Sequence, residues 1–181
     1  MFYLSLLQNI ALLVSLTFVH SLLVRRLSPG NRIFPVVAGL LFGGVALLGM
    51  LTPVVLQPGL IFDGRSIILA VAGLFGGPVS ATIAALPAVL YRWWLGGVGA
   101  PMGIAVIIGS AAIGVLWHYL RRHRSWSVRL PGLYLFGLLV HLWMLGCILF
   151  LPAAAARLVL ASITWPVLLL YPPATLLICL L

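Results

Sequence analysis

The stretch FDGRSIILAVAGLFGGPVSATIAALPAVLYRWWLGG, Phe62 to Gly97, decides how this chain is threaded. It holds the chain's only acidic residue, Asp63, and two arginines, Arg65 and Arg92, at the ends of an otherwise apolar run. Gly76-Gly77-Pro78 interrupts that run near its middle. Two glycines free of Cβ restriction, then a proline suited to the first position of a helix, spell a turn between two short helices. Each arm has about 12 to 15 residues, or about 18–22 Å at 1.5 Å per residue. That is short for a hydrocarbon core of about 30 Å. The competing reading is one kinked helix of about 30 residues, long enough to span with some tilt.

Composition places this stretch in a membrane. The 181 residues are 64% hydrophobic and 6% charged, with a mean hydropathy of +1.29. A soluble domain carries about 25% charged residues. Apolar runs of about 20 residues recur, the length that crosses a bilayer as a helix. Segments of about ten residues alternating apolar and polar, the mark of an outer-membrane barrel, do not occur. Helices are expected at about 2–24, 34–52, 100–119, 131–150 and 157–181, the last with kinks at Pro166 and near Pro172–Pro173. The fold class is therefore an all-α polytopic membrane protein, with five full transmembrane helices plus a hairpin of two short helices at about 64–76 and 78–94. The N-terminal run has its arginines after the apolar stretch and no small-residue cleavage site, so it reads as a retained first helix rather than a secretory signal.

Charge sets the expected orientation. The formal net charge is +9, from ten basic residues, all arginine, against one acid. Short Arg-rich loops stay in the cytoplasm. The loops holding Arg25, Arg26 and Arg32, and holding Arg121, Arg122, Arg124 and Arg129, should therefore share that side. A single crossing by Phe62–Gly97 would put them on opposite sides; a hairpin restores the parity. The N-terminus is then outside, the C-terminus cytoplasmic, and Asp63, Arg65 and Arg92 lie together at the outer side. Without aromatic-interleaved basic stripes the positive charge reads as topology signal and contact with membrane lipids, with no nucleic acid partner.

Two guanidiniums and one carboxylate in one neighbourhood suit a small anionic ligand, because the planar fork binds carboxylate or phosphate bidentately. The plainer alternative is an Asp63–Arg pair with arginines that snorkel to the interface. Tyr91, Trp93 and Trp94 fit either a pocket wall or an interfacial aromatic belt, the belt being favoured. His20 and His141 read as hydrogen-bonded interior histidines. Gln8 and Asn9 read as interhelical glue or pocket lining, and His118 and His123 as solvated residues of the basic edge. Gly39 with Gly43, and Gly99 with Gly103, form G-x-x-x-G pairs. Gly77, Ala81, Ala84 or Ala85, and Ala88 make a small-residue stripe, and Ser110 with Gly114 continue it; such surfaces let backbones approach closely. Cys147 and Cys179 lack partner spacing and read as inert thiols. One carboxylate excludes a carboxylate pair for acid/base work. No metal-spaced His/Cys cluster or nucleotide loop occurs, so this segment is not expected to be an enzyme or to carry a cofactor.

Taken together, Asp63, Arg65, Ala72-Gly73-Leu74-Phe75-Gly76-Gly77-Pro78, Tyr91-Arg92, Gly96-Gly97, Gly99 and Gly103 resemble the five-transmembrane receptor domain of the LytS/YhcK type. The likeness extends to LLQN near the start, to Gly114 and to the PVLLLYPPATLL ending, and so covers nearly the whole chain. The resemblance implies one transmembrane sensor domain over residues 1–181 in the bacterial inner membrane, feeding a cytoplasmic histidine kinase or diguanylate cyclase, often through a PAS domain. It thereby implies two-component or cyclic-di-GMP signalling, a small anionic metabolite as ligand, and a homodimer. No kinase, PAS or GGDEF domain is present up to Leu181, so the chain is expected to be an isolated sensor region or to work with a separate partner. In pyruvate-sensing relatives the arginines matching Arg65 and Arg92 are implicated in the ligand site, together with a Cys and a Ser at the positions of Gly103 and Val106. Those two departures argue for another ligand and for the cyclase-linked branch. The candidate ligand-site residues are therefore Arg65, Arg92, Asp63, Tyr91, Gly103 and Asn9. The domain is also thought similar to substrate-binding subunits of energy-coupling-factor transporters, which leaves a transport subunit as the alternative function.

Overall fold

The computed structural model describes residues 31–51, 54–57, 60–123 and 129–180, with single positions 15, 21 and 26. The helix expected at 2–24, with Gln8, Asn9 and His20, lies outside the described residues apart from two of those positions. From Phe34 onward the chain is mainly helical, as expected: α1 (Phe34–Leu51), α2 (Arg65–Leu95), α3 (Ala100–His123), α4 (Leu130–Gly146) and α5 (Ala153–Leu180). A 3-10 turn, Cys147–Phe150, extends α4. These five segments are long and apolar enough to cross a membrane. This is a multi-pass membrane protein. Large apolar side chains such as Leu40, Leu86, Leu116 and Leu169 stand exposed around the bundle, as a lipid-facing surface requires.

α2 is a hairpin rather than one long crossing. Gly77 breaks it with φ 67° and ψ −161°, a conformation open to glycine but strained for any L-residue. Pro78 follows as the first residue of the second arm, where its missing N–H costs no helical bond. The arms, residues 65–76 and 78–95, return Arg92 to Arg65: both guanidiniums lie against Gly103 of α3. In a straight helix their Cα atoms would be about 40 Å apart at 1.5 Å per residue.

Small residues let the neighbours close in on the hairpin. Gly39 and Gly43 of α1 meet Ile83 and Ala84 of the second arm, and Gly73 and Gly114 bring the first arm against α3 backbone to backbone. Without a strong hydrophobic drive inside lipid, such close packing is what holds helices together. The main buried cluster joins α1, both arms, α3 and α4 through Phe42, Leu69, Ile107 and Phe136. A second cluster joins α3 to α4 and α5 through Met102, Val106, Met144 and Val159. The start of α1 and the end of α3 come together at the hairpin turn, where Phe34, Pro35, His118 and Arg121 line one cavity. Arg32 and Arg121, from the two Arg-rich loops, therefore belong to the same end of the molecule.

Several local expectations are corrected. A two-stranded antiparallel ribbon, β1 (Val54–Gln57) with β2 (Leu60–Phe62), occupies what reads in sequence as a loop, with Val54 opposite Phe62 and Val55 opposite Ile61. Valine and isoleucine favour extended backbone, and Pro58-Gly59 between the runs is a turn-type dipeptide. The last helix begins at Ala153 rather than Arg157, because a run of four alanines prefers helix over loop. It runs as one helical segment through Pro166, Pro172 and Pro173. α3 continues to His123, and His118 is not solvated, being 8% exposed against the hairpin turn.

Candidate functional site

Three charged side chains converge where the two arms of α2 end. Asp63 precedes the first arm, and its Oδ1 accepts the backbone N–H of Arg65 at 3.0 Å. That bond satisfies a backbone donor left over at the helix start, from the residue before the Gly64 cap. Its Oδ2 lies 3.3 Å from Nη1 of Arg65. Arg92 sits near the end of the second arm, and its Nη1 donates to the Gly96 carbonyl at 2.7 Å. Gly96 turns that carbonyl by leaving the helix at φ 62° and ψ −149°, another glycine conformation. A carboxylate at a helix N-terminus and a guanidinium at a C-terminus both agree with the helix dipole.

All three are buried: Arg92 is 1% exposed, Arg65 5% and Asp63 7%. Asp63 supplies the single side-chain carboxylate of the whole sequence. Its charge is felt by both arginines, yet the two guanidiniums still repel each other. The cluster therefore carries one more positive charge than negative in a buried place, an arrangement that an anion would complete. Two helix starts, at Arg65 and Ala100, face the same region and add their positive ends.

Gly103 is what lets both guanidiniums fit. A Cβ built there would stand 2.7 Å from Nε of Arg92 and 3.2 Å from Nη2 of Arg65. Val106, one turn on, instead packs in the apolar seam with Met102, Met144 and Cys147. Tyr91, next to Arg92 in the chain, is half-buried, and its ring lies 6.0 Å from that of Trp94. Trp93 and Trp94 are 71% and 78% exposed, in keeping with a belt. Asn9 lies outside the described residues.

One feature goes beyond what the sequence suggests. Tyr171 of α5 lies within electrostatic range of Asp63 and packs against both buried clusters. Its ring is 5.2 Å from that of His141. His141, buried as expected, donates from Nδ1 to the Gly137 carbonyl of its own helix at 2.6 Å, while Nε2 has no hydrogen-bond partner among the described residues. The sequence signal for Tyr171 is only a phenol ahead of Pro172-Pro173. Cys147 and Cys179 are free thiols, the first buried. Among the described residues no group of His, Cys, Asp and Glu is arranged to hold a metal ion.

Residues 17–181 match the family described as 5TMR of 5TMR-LYT, a five-transmembrane receptor domain. The chain belongs to this family. No curated protein and no solved structure matches it. The 5TMR-LYT domain is a non-catalytic sensory input domain of the membrane.

Proposed function

We propose that this 5TMR-LYT domain senses a small anion held between Arg65 and Arg92. One observation carries the reading: two buried arginines share the only acidic side chain of the chain. An anion of carboxylate or phosphate type supplies the missing charge and accepts the guanidinium donors in pairs. Gly103 leaves the room in which the two guanidiniums come together, and Asp63 holds Arg65 in place. The ligand enters from the side opposite the Arg-rich loops, the outer face of a bacterial inner membrane. The output is a histidine kinase or diguanylate cyclase on the cytoplasmic side, with a second copy of the domain as the partner in the membrane.

Signalling requires that the ligand bind two arrangements of the domain with different affinity. Tyr171 offers the lever, since it stands near Asp63 on α5 and touches both packed clusters. Closing of the arginines on an anion would change the field at Tyr171 and with it the seating of α5.

The test is a thermal-stability screen of the purified domain against carboxylates and phosphate esters, followed by binding titrations with the best stabiliser. Arg65→Ala and Arg92→Ala are each expected to weaken binding at least tenfold, since a charge-assisted hydrogen bond contributes about 1.5–3 kcal/mol. Unchanged binding and unchanged output in both variants rejects the site. Uptake of the ligand into cells, dependent on an ATPase partner, would assign the domain to transport instead.

A further inference from the structure

Two buried serines face the seam between the first arm of α2 and α3, inward of the arginine pair. The two segments run parallel from the arginine end to the hairpin turn, since Arg65 lies against Gly103 and His118 bonds the Leu74 carbonyl. A Cβ at Gly114 would press on the Ala70 carbonyl. Ala70 and Gly114, like Leu74 and His118, are 44 residues apart, and the same offset one turn nearer the arginines sets Ser66 opposite Ser110.

Helix periodicity turns both hydroxyls into this seam. A Cβ at Gly73 would meet the α3 backbone at Ala111 and Val115, and Ser66 lies seven residues earlier on the same face. Gly103, whose missing Cβ makes room for both guanidiniums, lies seven residues before Ser110 on the face that carries Gly114. One face of α3 therefore runs from the arginine pair to Ser110, and then to the closed contact at Gly114. Gly103 and Ser110 are about 10 Å apart along the helix axis. Ile107 stands between them on that face, fully buried.

Both hydroxyls lack what burial demands. Ser66 is 1% exposed and Ser110 0%, yet neither Oγ has a hydrogen-bond partner among the described residues. A hydroxyl in a helix can satisfy itself on the carbonyl one turn back, and Thr82 and Thr175 do so here. Ser66 and Ser110 do not. Two such hydroxyls in one seam, beside a buried positive charge in excess, mark a place for a polar group that arrives with a ligand.

We propose that Ser66 and Ser110 form the inner end of the ligand site and select a monoanion with a neutral oxygen, hydroxyl or carbonyl, at the end remote from its acid group. The inference rests on the reading of Arg65 and Arg92 as an anion site and names the class of ligand which that site takes. The arginines hold the acid group, Ile107 borders the carbon stem, and the far oxygen meets the serines. A ligand hydroxyl donates to one serine and accepts from the other, and a ligand carbonyl accepts from both. A second carboxylate at that end is rejected, because the cluster has one positive charge in excess and the serines add none.

Isothermal titration of the full chain in detergent tests this with two sets of acids: butanoate, 4-hydroxybutanoate and succinate, then hexanoate, 6-hydroxyhexanoate and adipate. In at least one set the hydroxy acid is expected to bind about tenfold tighter than both the plain acid and the diacid, because it alone pairs the buried hydroxyls. Ser66→Ala and Ser110→Ala should each abolish that preference and leave the plain acid's affinity unchanged. Without ligand both variants should melt no lower than the wild type, since a methyl-sized group replaces an unpaired hydroxyl. Thr82→Ala, which removes a hydroxyl bonded within its own helix, should keep the preference. A wild type that favours neither hydroxy acid overturns the inference, whether or not the variants fold. So does a preference that survives both serine variants. If Arg65→Ala weakens every acid but the hydroxyl confers no advantage, the arginine site stands and this inference alone falls. If none of the six acids binds, this inference falls too, and the broader screen alone decides the arginine site.

Discussion

At the scale of single residues, scarcity makes the site legible. In a chain with 6% charged residues, each charge inside an apolar run has to be explained, and Asp63, Arg65 and Arg92 stand out for that reason. Tyr171 does not, because its place near Asp63 depends on how α5 packs, which no local pattern encodes. His118 misleads for a related reason. Its neighbours Tyr119, Leu120 and Arg121 look like the edge of a helix entering water, whereas the docked hairpin turn buries it. The role of Asp63 gives the sharpest residue-level prediction. Asp63→Asn keeps an acceptor for the Arg65 N–H but removes the one carboxylate charge that both guanidiniums feel. Breaking a buried pair costs about 3–5 kcal/mol, so the variant should unfold at a clearly lower temperature in anion-free buffer. It should also gain more than the wild type from a bound anion, since it carries a larger uncompensated charge. Equal midpoints and equal anion responses would show that Asp63 does not balance the arginines. Gly103→Ala should lower both anion affinity and stability, because the new methyl would stand 2.7 Å from Nε of Arg92, which is fully buried and has little room to give way. Isothermal titration with the stabiliser found in the screen reads the loss of affinity directly.

At the scale of elements, the hairpin is legible and the ribbon is not. Gly76-Gly77-Pro78 names a chain reversal by chemistry alone: glycine for a backbone angle that other residues avoid, proline for a helix start. VVLQ and LIF are too short for any period to separate strand from loop. The start of α5 is hidden because alanines next to Pro152 look like loop residues by their small size, when their helix propensity decides. The turn supports a quantitative expectation. Gly77→Ala must either hold a backbone conformation that costs about 1–3 kcal/mol for a non-glycine residue or distort the turn. Its Cβ would also press on the His118 ring at 3.1 Å. The variant should therefore lose thermal stability by about that amount, while Gly44→Ala, where a Cβ meets nothing within 4 Å, should not. If the two behave alike in matched detergent, the turn is not the constraint described.

At the scale of the whole molecule, parity governs the arrangement. A straight α2 would set the two Arg-rich loops on opposite faces. The fold instead gathers Phe34, the Gly77 turn and Arg121 at one end and Asp63, Arg65 and Arg92 at the other. Each full-length helix then alternates direction around a hairpin that enters and leaves by the same face. Which face meets the cytoplasm follows from the arginine bias: the end with Arg32, Arg121 and Arg129 is expected inside, and the proposed anion site outside. Single cysteines in a background with Cys147 and Cys179 replaced by alanine put this to the test. Val98→Cys lies half-exposed in the segment between α2 and α3, near the arginine pair. Ser28→Cys and Ser125→Cys lie in the two Arg-rich loops. In intact cells a membrane-impermeant maleimide should label position 98 and spare positions 28 and 125 until the membrane is opened. Labelling of only one of positions 28 and 125 contradicts the hairpin. Between those loops the chain crosses with α1 and α3, an even count, and a single crossing by α2 would make it odd. Labelling of 28 and 125 together, with 98 spared, keeps the hairpin but turns the domain over. The anion site would then face the cell interior, where a cytoplasmic metabolite would be the signal.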